Sequence, residues 1–297
     1  MSARPKVAIF SDIRFPSPRA NGIQVVKTAH ALAARGLDTR LVVRQSDPRD
    51  TGEILEGYGI ESGSRLVVER IAVGHGRGPQ NLARLRYLVA TVFRARRAVS
   101  QGRTVLTRDL QLADLLLRTG CRTLAYEAHA VEAIMYDERH QLYATAERPS
   151  PAKRRRIFGR ERRVWTGARG FIATTQGILT TFERQFGPRP RTAVVPNGCD
   201  LPGDRVFEPP AEDGRVIYAG QLYPWKGVDV LLRAFARVGL GTLVVVGGIE
   251  GEGDLTRVRA LAEELGIAQR VFFLGAKPQK EIAGEVAKAT VAVAHSV

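Results

Sequence analysis

The sequence predicts an α/β protein of two doubly wound domains in series, the second of them incomplete. Three observations carry that prediction. Short β-rich runs alternate with amphipathic helical stretches along the whole chain. The runs are nearly continuous in apolar residues, the mark of parallel strands covered on both faces. And 297 residues with 44% hydrophobic and 25% charged residues fit two folded domains better than one, or than a disordered chain.

In the first half, strands are expected at Val7–Phe10, Leu41–Val43, Leu66–Ile71, Thr104–Leu106, Leu124–Tyr126, Phe171–Ala173 and Ala193–Val195. Helical periodicity marks Gly22–Arg35, Asn81–Ser100, Leu110–Arg118, Lys153–Gly167 and Gln176–Gln185 between them. In the second half, Arg215–Tyr218, Leu243–Val246, Val271–Leu274 and Val291–Ala294 read as strands, with helices at Val228–Val238, Asp254–Leu265 and Gln279–Ala289. Pro202, Gly203, Pro209, Pro210 and Gly214 break any pattern between the halves. The expected domains are therefore 1–200 and 215–297, both Rossmann-like, joined by a linker over 201–214. The last strand, Val291–Ala294, has no helix after it, and so the second domain reads as cut short. In open α/β sheets ligands bind at the carboxyl ends of the strands, and that is where chemistry is expected.

Composition narrows the function. No apolar run approaches the ~20 residues of a membrane span, and the start Met1-Ser2-Ala3-Arg4-Pro5-Lys6 leads straight into a strand. The expectation is a cytoplasmic protein. Cys121 and Cys199 are too few for a disulfide framework or a cysteine-rich zinc site. The net charge of +15 is unevenly placed: residues 1–200 hold 34 Lys and Arg against 18 Asp and Glu, whereas 201–297 hold 11 against 12. A basic first half suits an anionic partner. Between Glu69 and Asp109 there is no acid, and Leu85, Leu88, Val89 and Val92 share one helix face while Arg86, Arg94 and Arg97 fall on another. Lys153–Arg156 with Arg160, Arg162 and Arg163 form a second basic tract. Such a surface is either a solvated helix face or a docking face for anionic lipid, at the inner side of a membrane. The tracts lack interleaved aromatics, which disfavours nucleic acid.

Two stretches carry candidate chemistry. Val216–Gly227 runs from a strand through Gly220, Gln221 and Lys226 into a helix N-terminus, where free N–H groups and the helix dipole favour phosphate. Lys226 there suits a diphosphate or, equally, a solvated turn. In Leu124–Ala130, Glu127 and His129 are two residues apart at a strand end and share a face. A carboxylate beside the imidazole would favour its charged form and fix its orientation; the alternative is a buried histidine satisfied by backbone. Thr107-Arg108-Asp109 ends another strand, with Asp109 equally suited to start a helix. His30, His75, His140 and His295 show no ligand spacing.

Gly220 followed by Lys226-Gly227-Val228-Asp229-Val230-Leu231-Leu232-Arg233-Ala234 resembles the donor-phosphate segment of retaining glycosyltransferases of the GT-B fold, family 4. Other stretches resemble that family in the same order: Asn21-Gly22 before the first helix, Val194–Asp200 as its interdomain "PNG-x-D", Leu243–Gly248, and Val271–Gly275. The resemblance implies transfer of a sugar from a UDP- or GDP-sugar co-substrate to a glycan or lipid-linked acceptor, with retention and without a metal. No Asp-x-Asp occurs in the chain. The resemblance assigns Gly220, Gln221, Lys226 and Gly22 to the donor phosphates, Leu274, Gly275 and Gly247 to the nucleobase, and His129 to a place beside the transferred sugar; Glu127, read from its spacing to His129, completes the expected catalytic pair. Two departures stand out. Gln221 replaces the family's usual arginine, and the family's glutamate pair, expected just past the last strand, is absent. Rival readings are a nucleotide-sugar epimerase and a non-catalytic binding module.

Overall fold

The computed structural model describes residues 4–17, 19–61, 65–72, 80–142, 149–199 and 214–294. The chain forms two compact units, one built from Met1–Glu56, Ile60–Gln141 and Thr145–Cys199, the other mainly from Asp200–Val297. The stretch expected as a linker lies outside the described residues except for Gly214, as do His75 and His295.

The first unit holds seven parallel strands: β1 (Lys6–Phe15), β2 (Asp38–Gln45), β3 (Val67–Ile71), β4 (Thr104–Thr107), β5 (Leu124–Ala128), β6 (Gly170–Ala173) and β7 (Thr192–Val194). Their spatial order is β3-β2-β1-β4-β5-β6-β7. The order reverses between β1 and β4, the switch point at which doubly wound sheets open a crevice. The helices are α1 (Ala20–Ala34), α2 (Thr51–Gly57), α3 (Gln80–Ser100), α4 (Leu110–Arg118), α5 (Glu132–Leu142), α6 (Pro151–Gly167) and α7 (Gln176–Phe186). Two of these, α2 and α5, were not expected. Helix α2 is short and carries Gly52 and Gly57, yet it buries Ile54 and Leu55. Helix α5 starts after an apolar residue, with no sequence cap to announce it.

An aromatic cluster closes the β5–β6 side of the core. Trp165 of α6 packs edge-on against Phe171 at 4.8 Å and stacks on Phe182 at 5.5 Å, and Phe171 also meets Tyr126 at 5.6 Å. Such pairs add about 0.5–1.5 kcal/mol each beyond their buried area. Helix α6 is further tied to α4 by charge. From α6, Arg163 Nε lies 2.6 Å and Arg160 Nε 3.8 Å from Asp114 of α4, which also pairs within its own helix with Arg118 Nε at 3.1 Å. Burial would raise the Asp114 pKa, but the hydrogen bonds from Arg163 and Arg118 hold it below the ordinary carboxylate value.

The second unit is a four-stranded parallel sheet, order β10-β9-β8-β11, of β8 (Arg215–Ala219), β9 (Thr242–Val246), β10 (Val271–Gly275) and β11 (Val291–Val293). Alternation sends Tyr218, Leu243 and Val245 to one face, against α8 (Val228–Phe235) and α9 (Gly253–Glu264). Ile217, Val244 and Val246 face the other way, toward Ile282 and Ala289 beside α10 (Gln279–Ala287). Both faces of the sheet are thus covered, which explains why its strands read as unbroken apolar runs.

Candidate functional site

In the second unit the carboxyl ends of three neighbouring strands are stitched together by glycines. The Gly220 N–H donates to Val246 O at 2.9 Å, and the Gly247 N–H donates to Gly275 O at 2.8 Å. Gly247 has no room for a side chain, whereas an added Cβ on Gly275 would meet nothing within 4 Å. A Cβ on Gly247 would lie 1.8 Å from Gly220 O, and the backbone at Gly247 has φ 141°. Gly275 adopts φ 69° where the β10–β9 register shifts. The structure therefore brings Gly220, Gly247 and Gly275, each half-buried, into one row at the strand ends. Leu274, next to Gly275, is 39% exposed.

The loop that follows Gly220 is anchored by a residue the sequence did not single out. The Tyr218 hydroxyl donates to Gln221 O at 2.7 Å, and burial pushes its pKa up to about 12, so it stays protonated. Gln221 thus has a fixed backbone and no charge. Lys226 ends a single tight turn, Pro224–Lys226, and Gly227 at φ 65° starts α8 without a side-chain cap. The lysine is half-buried and has no ion-pair partner among the described residues. Arg257 of α9 also reaches this loop but is already committed: it bonds Leu222 O at 2.9 Å and Asp229 at 3.0 Å.

In the first unit the candidate pair does meet. Glu127 Oε1 lies 2.5 Å from His129 Nε2. The same oxygen accepts from Arg108 Nη2 at 3.0 Å, and Arg108 Nη1 reaches Gln24 Oε1 of α1 at 3.4 Å. Burial alone would raise the Glu127 pKa, but the His129 hydrogen bond and the Arg108 charge outweigh it and hold the carboxyl below its usual value. Glu127 is thereby an ionised acceptor that orients the imidazole. Asp109 takes the bland role, its side chain accepting from Leu112 N at 2.9 Å to cap α4. Arg108 is the member of this cluster that spacing alone did not reveal. It follows β4, and only the β4–β5 pairing places it beside Glu127.

Gly22 sits in the first turn of α1, where a Cβ would meet Ser17 Cβ at 2.5 Å; its N–H is shared between Arg19 O and Asn21 Oδ1. The glycine lets the loop after β1 fold back over α1. Pro196, Asn197, Gly198 and Cys199 are exposed, and Asp200 lies outside the described residues.

The basic tracts divide. On α6, Arg154 pairs with Asp137, and Arg160 and Arg163 with Asp114, leaving Arg155, Arg156 and Arg162 exposed without ion-pair partners among the described residues. On α3 the buried stripe is Tyr87, Thr91, Ala95 and Ala98, while Leu85, Val89 and Phe93 are 56%, 48% and 65% exposed. The expected apolar face is therefore split. Leu88 and Val92 pack on the core, and Leu85 and Val89 do not. The Tyr87 hydroxyl, donating to Ser11 O at 2.7 Å, sets that rotation. Among the described residues, no helix is long and apolar enough to cross a membrane, and no group of three or more His, Cys, Asp or Glu could hold a metal ion.

The first unit thus carries a His–Glu–Arg cluster where β4 and β5 end, and the second a row of glycines at its strand ends, followed by a lysine without an ion-pair partner among the described residues. The chain belongs to the glycosyl transferase 4-like family, whose model matches residues 22–198, and the model of glycosyl transferases group 1 matches residues 204–297. It is 25% identical over 280 residues to the D-inositol 3-phosphate glycosyltransferase of Mycobacterium ulcerans, which covers 88% of this chain. It is 32% identical over 174 residues to the protein of that name from Acidothermus cellulolyticus, over 52% of this chain and 38% of the relative. The chain spans 58% of the length of the Mycobacterium ulcerans protein. Among solved structures, a sucrose-phosphate synthase from Thermosynechococcus elongatus superposes with a TM-score of 0.71 at 20% identity, covering 99% of this chain and 76% of its own. Anabaena HepE, solved with UDP and glucose, gives 0.65 at 18%, covering 99% and 74%. The GT-B fold, two Rossmann-like domains, is thereby established for this chain.

Proposed function

We propose that the protein transfers a sugar from a nucleotide-diphosphate sugar to an anionic acceptor, with retention of anomeric configuration. The observation that carries this reading is the row Gly220, Gly247 and Gly275, with Lys226 on the loop that follows Gly220 and without an ion-pair partner among the described residues. Backbone without side chains lets a nucleotide approach closely, with Leu274 and Gly275 against its base. Lys226, the α8 N-terminus and the Gln221 amide face its phosphates. No metal takes part in this reading. The first unit holds the acceptor. The acceptor oxygen bonds to the anomeric carbon as the bond to the diphosphate breaks, and the leaving phosphate takes the acceptor proton. His129, held by Glu127, stabilises charge beside the transferred sugar, a contribution of about 10²–10³ in rate for one well-placed donor.

An anionic acceptor is supported by the excess of cations in residues 1–200 and by relatives named for a phosphorylated polyol. A lipid-linked glycan is the other acceptor that the charge suits. For it, the exposed Leu85, Val89 and Phe93 next to Arg86 and Arg97 provide a face for anionic lipid at the cytoplasmic side of a membrane.

Calorimetric titration with UDP- and GDP-sugars, run alongside an acceptor-free product assay, tests the reading. Micromolar binding with slow donor hydrolysis and a retained anomeric product after acceptor addition is expected. A folded protein that binds neither donor overturns it. Interconversion of the free donor would make the protein an epimerase, and binding with neither hydrolysis nor transfer a binding module.

A further inference from the structure

His129 lies between two anchored points. On one side Ala128, the last residue of β5, has its carbonyl bonded by the Thr174 amide at 3.1 Å and the Thr174 hydroxyl at 3.3 Å. On the other, α5 begins three residues later. The residue at its cap position is Val131, whose carbonyl accepts from Met135 N at 2.9 Å but whose side chain offers no acceptor. The first amides of a helix have no partner within it. Ala133, the second residue of α5, is 1% exposed, so water does not supply one.

The acceptor comes from another helix. Glu161 of α6 is fully buried and places Oε1 3.4 Å from Ala133 N; it takes the Glu132 amide as well. Its second oxygen, Oε2, is buried with no partner. A threonine at position 131 would cap the same helix from within, without burying a carboxyl. The arrangement instead locks α5 to α6, and α6 is itself fixed by its bonds to Asp114 and by Trp165 in the aromatic cluster.

We propose that Glu161 is a positioning residue for His129: by holding the start of α5, it fixes the short segment that carries the imidazole onto Glu127. The inference rests on the reading that His129 acts in transfer, but its structural half is testable without activity. The experiment compares wild type with Glu161→Gln, Glu161→Met and the double variant Glu161→Met/Val131→Thr. It reads amide exchange at Glu132 and Ala133 and the imidazole ¹⁵N resonances of His129. In Glu161→Met, exchange at those amides should quicken at least 10-fold and the His129 resonances should move. Glu161→Gln, which keeps an acceptor oxygen, and the double variant, which regains a local cap, should restore both. Wild-type His129 resonances in Glu161→Met, or no recovery in the double variant, would overturn the proposal. Should Glu161→Met not fold, Glu161→Asp withdraws the same acceptor by one methylene and decides by the same two readouts. In a donor-hydrolysis assay Glu161→Met should lower kcat about 10-fold with KM unchanged. If His129→Ala leaves turnover intact, the reading of His129 is at fault, and the resonance test of Glu161 still stands on its own.

Discussion

The carbonyl oxygen of Gly220 occupies the space that a side chain on Gly247 would need: a Cβ built there falls 1.8 Å from it. This contact lets the ends of β8 and β9 approach closely, with the Gly220 N–H donating to Val246 O at 2.9 Å. Gly247→Ala should therefore be severely destabilising, since the backbone must move and φ 141° is strained for alanine. A loss of about 3 kcal/mol is expected in urea unfolding. Gly266→Ala, with φ 68° but nothing within 4 Å, should cost only about 1 kcal/mol.

Donor affinity should track charge on the loop after Gly220. A hydrogen bond to a charged group is worth about 1.5–3 kcal/mol, so Lys226→Ala should weaken nucleotide-sugar binding about 10- to 100-fold by calorimetry. Gln221→Arg should strengthen it. Unchanged affinity in Lys226→Ala would remove the lysine from the site.

The acid side of stability should report Glu127. Its folded pKa is depressed, so its favourable contribution is complete above the unfolded value near 4.5 and is lost as pH falls through the lower, folded one. Arg108→Met removes the cation that helps hold the carboxylate ionised. We expect a loss of about 2 kcal/mol at pH 7 and a shallower acid limb in a series of chemical denaturation curves. Activity of Arg108→Met equal to wild type would show that Glu127 orients His129 unaided.

Glu161 should act in the opposite direction. Burial raises its pKa to about 7, opposed by the Ala133 and Glu132 amides and by Arg154 and reinforced by Glu132; Tyr126 is its other titratable neighbour. A raised carboxyl pKa makes the folded state hold its proton longer. Stability is therefore lost as pH climbs from about 4.5 to about 7, and is flat above. Glu161→Gln should match wild type at pH 4 and exceed it by about 2–3 kcal/mol at pH 8. Parallel curves for the two proteins across that range would contradict this.

The outward face of α3 should bind lipid without supporting the fold. Replacing Val89 and Phe93 together by serine should change stability by no more than about 0.5 kcal/mol. It should also reduce flotation with vesicles containing phosphatidylserine. A melting transition lowered by many degrees would mean that these side chains are covered in solution.

The sequence alone determined the alternation of strands and helices, the two doubly wound units and the position of the glycine and lysine loops. Each is a local signal: period, turn chemistry and short spacing. Glu127 and His129 were legible for the same reason, lying two residues apart on one strand end. What tertiary structure decided is whatever depends on a distant partner. Arg108 meets Glu127 only because β4 pairs with β5. Tyr218 pins Gln221 only because the chain turns sharply after β8. Helix α5 escaped notice because its cap, Glu161, lies 28 residues away from Ala133. The face of α3 could not be read from periodicity, since Leu85, Val89 and Phe93 recur with the same helical spacing as the buried Tyr87, Thr91 and Ala95. Helical spacing says which residues share a side; the bond from Tyr87 to Ser11 selects the side that turns inward.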